Sequence, residues 1–266
     1  MQVKLGYISA RTALSNSRIY GVRYALNPFV GCLHGCAYCY ARFIRKQYGI
    51  EDEWGSFLYV KRDFARLLTK DLAKRKPGVT LVSSTTDPYQ PLGKLSEVSR
   101  RCLELLLKSG FPVVLMTKNA GVLRDADLLS QYRSVEVGFS FFTYDDSDAR
   151  NFELRTSPPK DRVRALEEMR KLGIRTFAFI APFIPIVSER TIEELLENVL
   201  PIVDEVYLDK LNIKAGNWRS IKRVLEEKYP EELRAIKRIL FNEVLSKRYY
   251  EELKEKLNRY DIKYVY

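Results

Sequence analysis

The chain has 266 residues, 46% hydrophobic and 30% charged, a balance that supports one large or two small packed cores and excludes a disordered or fibrous polypeptide. Its 45 Lys and Arg against 34 Asp and Glu give a net charge of +11, which fits an anionic partner such as a nucleic acid, or the Lys- and Glu-rich surface of a thermophile protein. The longest apolar run, Phe177 to Val187, carries Pro182 and Pro185 and falls short of the roughly 18–20 residues that span a bilayer; with no apolar h-region in MQVKLGYISARTALSN, a cytoplasmic protein without signal peptide or membrane partner is expected.

Residues 1–50 contain seven bases (Lys4, Arg11, Arg18, Arg23, Arg42, Arg45 and Lys46) and no acid. The first strand is predicted at Ala25–Val30, a short continuous apolar run. It leads into Gly31-Cys-Leu-His-Gly-Cys-Ala-Tyr-Cys-Tyr40, which holds three of the four cysteines. Cys32, Cys36 and Cys39 so close together in an intracellular chain point to metal rather than to disulfides. A closed zinc site wants four ligands; no second Cys pair completes one, and His34, between Cys32 and Cys36, would be strained as the fourth. An iron–sulfur cluster fits the count differently. Three thiolates leave one iron of a [4Fe–4S] cube open to an exogenous amine and carboxylate. The spacing C-x-x-x-C-x-x-C, with Tyr38 just before the last Cys, resembles the signature of the radical S-adenosylmethionine (SAM) superfamily. That resemblance implies a [4Fe–4S] cluster on Cys32, Cys36 and Cys39, and SAM as the second cofactor.

Further strands are predicted at Thr80–Ser84, Val113–Thr117, Val135–Phe141, Thr176–Ala181 and Val206–Leu211, with helices between them. Glu97–Lys108 presents Val98, Cys102, Leu105 and Leu106 on one face, which makes Cys102 a packing residue. Lys160–Leu172 presents Val163, Leu166, Met169 and Leu172, and Thr191–Ile202 presents Ile192, Leu195, Leu196 and Val199. The alternation predicts an α/β fold with a parallel sheet, and leaves open a partial (βα)6 barrel or an open doubly wound sheet. The superfamily resemblance implies the partial, TIM-like barrel, with the cysteines in the loop after the first strand.

Binding groups are expected at the carboxyl ends of the strands. The second is followed by Ser83-Ser-Thr-Thr-Asp-Pro-Tyr-Gln-Pro91, a rigid loop that aims Thr86, Asp87, Tyr89 and Gln90 at the barrel mouth. The third ends at Lys118, a point charge suited to an amino-acid carboxylate. The fourth carries Ser140, with Glu153 and Arg155 beyond it. The fifth runs into Ala181-Pro-Phe-Ile-Pro185, an apolar corner suited to the face of an adenine. A turn or capping role suits any one of these residues alone. Downstream, Trp218–Phe241 and Asn242–Tyr260 read as helices and Ile262–Tyr266 as a strand. Tyr249 and Tyr250 beside Lys247 and Arg248 suit a nucleic-acid surface, although a solvated face with i,i+4 ion pairs is the simpler reading.

Within the superfamily, four stretches resemble the spore photoproduct lyase-related proteins: Asn27-Pro-Phe-Val-Gly-Cys-Leu-His-Gly-Cys-Ala-Tyr-Cys-Tyr-Ala41, Thr86-Asp-Pro-Tyr-Gln-Pro91, Leu115-Met-Thr-Lys118 and Val135-Glu-Val-Gly-Phe-Ser140. The likeness covers roughly residues 20–215 and implies cofactor contacts from Tyr38, Thr86, Asp87, Lys118, Ser140, Arg155 and Ile184; with the N-terminal lead-in the core barrel is expected over residues 1–215, and the helical pattern after it reads as an extension over 216–266. It further implies reductive cleavage of SAM to a 5′-deoxyadenosyl radical that abstracts hydrogen from a substrate, a nucleic acid first and a peptide or small molecule as the alternative, with a separate protein as reductant. Tyr40, Tyr89 and Tyr144 are candidate neighbours of that substrate. One position departs. Where true spore photoproduct lyases carry a hydrogen-returning cysteine this chain has Ser84, whose O–H bond is too strong for the task, so repair of spore photoproduct itself is not expected. The alternative reading is a non-catalytic protein that uses zinc or a structural cluster and binds nucleic acid.

Overall fold

The computed structural model describes residues 2–214 and 216–266. Its strands are β1 (Lys4–Ile8), β2 (Leu14–Asn16), β3 (Tyr24–Leu26), β4 (Phe29–Gly31), β5 (Phe57–Lys61), β6 (Thr80–Val82), β7 (Val113–Thr117), β8 (Val135–Phe141), β9 (Arg175–Phe183), β10 (Glu205–Lys210) and β11 (Lys263–Tyr264). Eight of them form one sheet in the order β11-β10-β9-β8-β7-β6-β3-β2. From β3 through β6, β7, β8 and β9 to β10 every neighbouring pair is parallel, and the crossovers carry helices, as parallel pairs require. The sheet curls without closing: β2, antiparallel to β3, stands at one edge and the short β11 at the other. This is the partial barrel.

The first predicted strand divides at Pro28. Its first half, β3, belongs to the barrel sheet; its second half, β4, pairs antiparallel with β5 in a separate three-stranded sheet, β1-β5-β4. Proline has no N–H to give a ladder and restricts the residue before it, so a continuous apolar run is cut there. The Pro28 carbonyl is used, accepting from the Lys61 N–H at 3.0 Å. The cysteine loop therefore leaves a small side sheet rather than a barrel strand.

In the helix Ser96–Lys108 Cys102 and Leu106 are fully buried as expected, but Leu103 and Leu107 complete the buried face and Val98 and Leu105 are half-buried. Helix Pro159–Lys171 is rotated from its predicted face: Arg162, Ala165, Leu166 and Met169 are buried and Leu172 is half exposed. The predicted helix Trp218–Phe241 is two helices, Trp218–Lys228 and Leu233–Phe241, parted at Pro230, and Glu243–Lys256 follows. These pack on the rest of the chain. Ile221, Leu225, Tyr229 and Ile236 join Cys36, Tyr38 and Phe152 in one apolar cluster. At 247–250 the simpler reading holds: Lys247 and Arg248 form i,i+4 pairs with Glu251 and Glu252, while Tyr250 is buried and the Tyr249 hydroxyl donates to Glu189 at 2.6 Å, so the alternative nucleic-acid surface is not built there.

At the exit of β4, Gly31 has φ +94°, and a Cβ there would lie 2.6 Å from the Phe57 carbonyl oxygen. Left-handed backbone and overpacking coincide, so Gly31→Ala should cost about 2–4 kcal/mol in a urea titration. A loss below about 0.5 kcal/mol would show that this turn is not fixed as described.

Candidate functional site

The loop from Cys32 to Cys39 has no helix or strand of its own, so its polar groups are met from elsewhere. The Leu33 N–H donates to Gln90 Oε1 at 2.8 Å and the Ala37 N–H to the Phe152 carbonyl at 2.7 Å. The His34 carbonyl accepts from Leu154 N at 3.1 Å, that of Leu33 from Arg155 Nη1 at 3.0 Å, that of Cys36 from Arg42 Nη2 at 3.1 Å and that of Tyr38 from Asn217 Nδ2 at 2.9 Å. Segments from four parts of the chain thus grip eight residues.

The result is a cavity of about 440 Å³ whose wall includes Cys32, Cys36, Cys39, Tyr38, Thr86, Asp87, Lys118 and Ser140. All three thiols are free. Met116, Phe179, Ala181 and Pro182 add apolar surface to the lining, and Tyr40, Asp209, Lys210 and Lys214 stand among the other lining residues. Arg155 and Ile184 do not line this cavity. Arg155 spends one guanidinium nitrogen on the Leu33 and Gly55 carbonyls, and Ile184 is fully buried with its N–H on Ser188 Oγ at 2.8 Å. Tyr89 and Tyr144 also lie off it; the buried Tyr89 hydroxyl donates to Asp125 at 2.8 Å.

Two buried ion pairs organise the wall. Glu153 accepts from Arg162, from the Tyr38 hydroxyl and, at 2.8 Å, from Thr156 Oγ1. Burial alone would raise the Glu153 carboxyl, but the Arg162 guanidinium beside it wins and holds it below its usual range. Arg162 also donates to the Ser140 carbonyl at 2.7 Å, so one side chain ties the end of β8 to the cysteine loop through Tyr38. Asp87 accepts from Thr117 Oγ1 at 2.7 Å, Lys118 N at 2.9 Å and Tyr89 N at 2.8 Å, and lies 3.4 Å from His34 Nδ1. Burial would push the His34 imidazole down; the Asp87 carboxylate overrides it and raises the pKa to about 10. Asp87 is correspondingly lowered against its burial. Its oxygens are thus engaged by protein donors, which makes it the anchor of the Lys118 backbone.

The thiols suit a multinuclear group. Burial first, and the negative charge of Cys32 second, push Cys39 up to about 12; burial and then Glu153 raise Cys36, while Lys118 acts to lower both. Three thiolates here need a cationic group bound among them. Gln90 Nε2 already points at Cys32 Sγ, 3.5 Å away. His34 Nε2 is buried with no hydrogen-bond partner among the described residues, an orphaned donor that added sulfur acceptors would satisfy. No group of three or more His, Cys, Asp and Glu among the described residues is gathered as a single metal ion requires. The donor set fits a sulfur-rich cluster.

Sequence reasoning missed the Glu153–Arg162 pair, because arginine on a helix face is ordinarily solvated. It placed Gln90 at the barrel mouth and His34 beside Cys32, but missed the contact of Gln90 with Cys32 and the pairing of His34 with Asp87, which depend on how the second-strand loop folds back.

Residues 26–199 match the family model described as the Radical SAM superfamily. An uncharacterized protein of Methanocaldococcus jannaschii is 31% identical over 98% of this chain and 96% of its own length. An uncharacterized protein of Acidianus two-tailed virus is 30% identical over 77% of this chain and 72% of its own. Among solved structures, a spore photoproduct lyase with bound AdoMet and dinucleoside spore photoproduct superposes with a TM-score of 0.61 at 19% identity, covering 85% of this chain and 66% of that one. Streptococcus suis SuiB bound to S-adenosylmethionine gives 0.58 at 13% identity, covering 91% of this chain and 49% of that one. The chain therefore spans less than two thirds of these solved neighbours, and the likeness to them is one of fold.

Arg162→Met leaves Glu153 buried and unpaired. Denaturant unfolding should register a loss of roughly 3–5 kcal/mol. A change below about 1 kcal/mol would show that the pair does not hold the loop.

Proposed function

This chain belongs to the radical SAM superfamily, and from that premise we propose that Cys32, Cys36 and Cys39 hold a [4Fe–4S] cluster beside a SAM site, and that the enzyme takes hydrogen from a nucleic-acid substrate. The observation that carries the reading is the joint lining of one cavity by three free thiols, a lysine and an apolar wall. When bound, the cluster and SAM supply an electron and a sulfonium carbon–sulfur bond whose reductive cleavage gives methionine and a 5′-deoxyadenosyl radical.

The chain's own residues bind, orient and exclude water. Lys118, fixed through its backbone by Asp87, offers an ammonium to the carboxylate of the methionyl group. Tyr38, pinned by Glu153, presents its ring beneath the Lys118 ammonium at 5.8 Å and limits where that ammonium can go. Met116, Phe179, Ala181 and Pro182 give the adenine a dry surface. Thr86 donates to the Gly31 carbonyl at 2.6 Å and accepts from Gln90 Nε2 at 3.2 Å, so it spends its hydroxyl proton on the cysteine loop and keeps one oxygen lone pair for a ligand.

Support for a nucleic-acid substrate comes from the net charge of +11 and from Lys210 and Lys214 in the cavity wall. Ser84 also lines the cavity, its oxygen accepting from Asn27 Nδ2 at 3.1 Å. A serine there cannot return a hydrogen atom, so spore photoproduct should not be converted to paired thymines.

Anaerobic reconstitution tests the reading. The wild type should turn brown, bind about four irons per chain, and form 5′-deoxyadenosine from SAM with dithionite. Cys36→Ala should lose both colour and product. Lys118→Met should keep its iron and bind SAM about tenfold or more weakly, the loss of one charge-assisted contact. A colourless wild type holding one zinc, or product formed by Cys36→Ala, would overturn it.

A further inference from the structure

A second cavity, of about 730 Å³, lies between the small sheet, the turn that precedes β2, and the helix Phe43–Tyr48. Its lining contains Arg11 and Lys61 and no acidic residue. Among the described residues neither cation has a carboxylate partner; Lys61 rests instead on the Phe64 ring at 5.4 Å. Lys61 is half buried, and burial pushes its ammonium down. A cation held in this way gains when an anion arrives, since the partial cost of its desolvation is already spent. Beside it Phe43 is 44% and Tyr48 36% exposed, planar faces with nothing stacked on them among the described residues.

This cavity adjoins the one that holds the thiols. Thr85 lines both. Asn27, on the second cavity's wall, accepts from Thr85 N at 2.9 Å and from Thr85 Oγ1 at 3.0 Å and donates to Ser84. The cleft lined by Arg11 and Lys61 thus shares the Thr85 wall with the reacting cavity.

We propose that this cleft seats single-stranded nucleic acid, with Arg11 and Lys61 on its phosphodiesters, Phe43 and Tyr48 under its bases, and the next nucleotide passing over Thr85 toward the SAM site. Cations interleaved with exposed aromatic faces are what an unpaired strand uses, because every base has a stacking face and every linkage a charge. A duplex offers no free base face to Phe43, and a lone nucleotide cannot fill both cavities. The assignment of the strand as substrate rests on the radical SAM reading; the binding itself does not.

The test is fluorescence anisotropy with the cluster-loaded protein and labelled DNA and RNA strands of about 12 nucleotides, with a mononucleotide as competitor. Arg11→Gln/Lys61→Gln should weaken strand binding at least about tenfold and lower the slope of log affinity against log salt by about 1.4, two phosphates' worth. Phe43→Ala should weaken it by about fivefold or more, without changing the salt slope. Both variants should keep wild-type iron content and substrate-free formation of 5′-deoxyadenosine. Preference for DNA or RNA identifies the sugar and supports the proposal either way. Variants that bind like wild type, or a mononucleotide that binds as tightly as the strand, would overturn it. A wild type that cleaves SAM and binds no strand would also sink this inference while sparing the radical SAM reading; variant-sensitive strand binding by a protein that takes up no iron would do the reverse.

Discussion

Glu153 is a carboxylate with no water to solvate it, and three parts of the molecule converge on it to make that tolerable. Arg162 reaches it from the helix that covers β8, Tyr38 from the cysteine loop, and Thr156 from the turn between. An ion pair so deep adds little net stability, but removing either partner strands a charge. The consequence is positional: Arg162 also holds the Ser140 carbonyl, so the end of β8 and Tyr38 cannot move independently. The cavity's shape depends on that joint.

The second pair, His34 with Asp87, repeats the device on the other side of the loop. Together these residues place cationic donors and Lys118 around the three thiols, of which burial pushes Cys36 and Cys39 up in the metal-free protein. Assembly of a thiolate-bound cluster then releases protons and replaces mutual repulsion by coordination. Hydrogen bonds from Gln90 toward Cys32 add a further means of tuning such a group. The fold brings chemistry and support to the same strand ends because a parallel sheet directs all its carboxyl termini one way.

Much of this was legible in the residues. The cysteine spacing, the alternation of buried strands with amphipathic helices, and the polar residues that follow β6, β7 and β8 are local signals. What escaped was non-local. Pro28 cuts an apolar run whose halves go to different sheets, and Pro230 breaks a helix whose periodicity continues across it. Arg162 occupies an inward position that hydropathy reserves for apolar residues, since its partner lies nine positions upstream in a turn. Arg155 and Ile184 sit near the expected strand ends, yet one serves the loop's backbone and the other the core. Strand-end position alone does not say which way a side chain turns.

The central claim is that three thiols carry a cluster with one iron left for SAM. Mössbauer spectroscopy of protein loaded with iron-57 tests it most directly. Addition of SAM should shift about one iron in four to a distinct, higher-coordinate signal while the rest stay as they were. A spectrum that SAM leaves unchanged, or a protein that takes up zinc in place of iron, would contradict it.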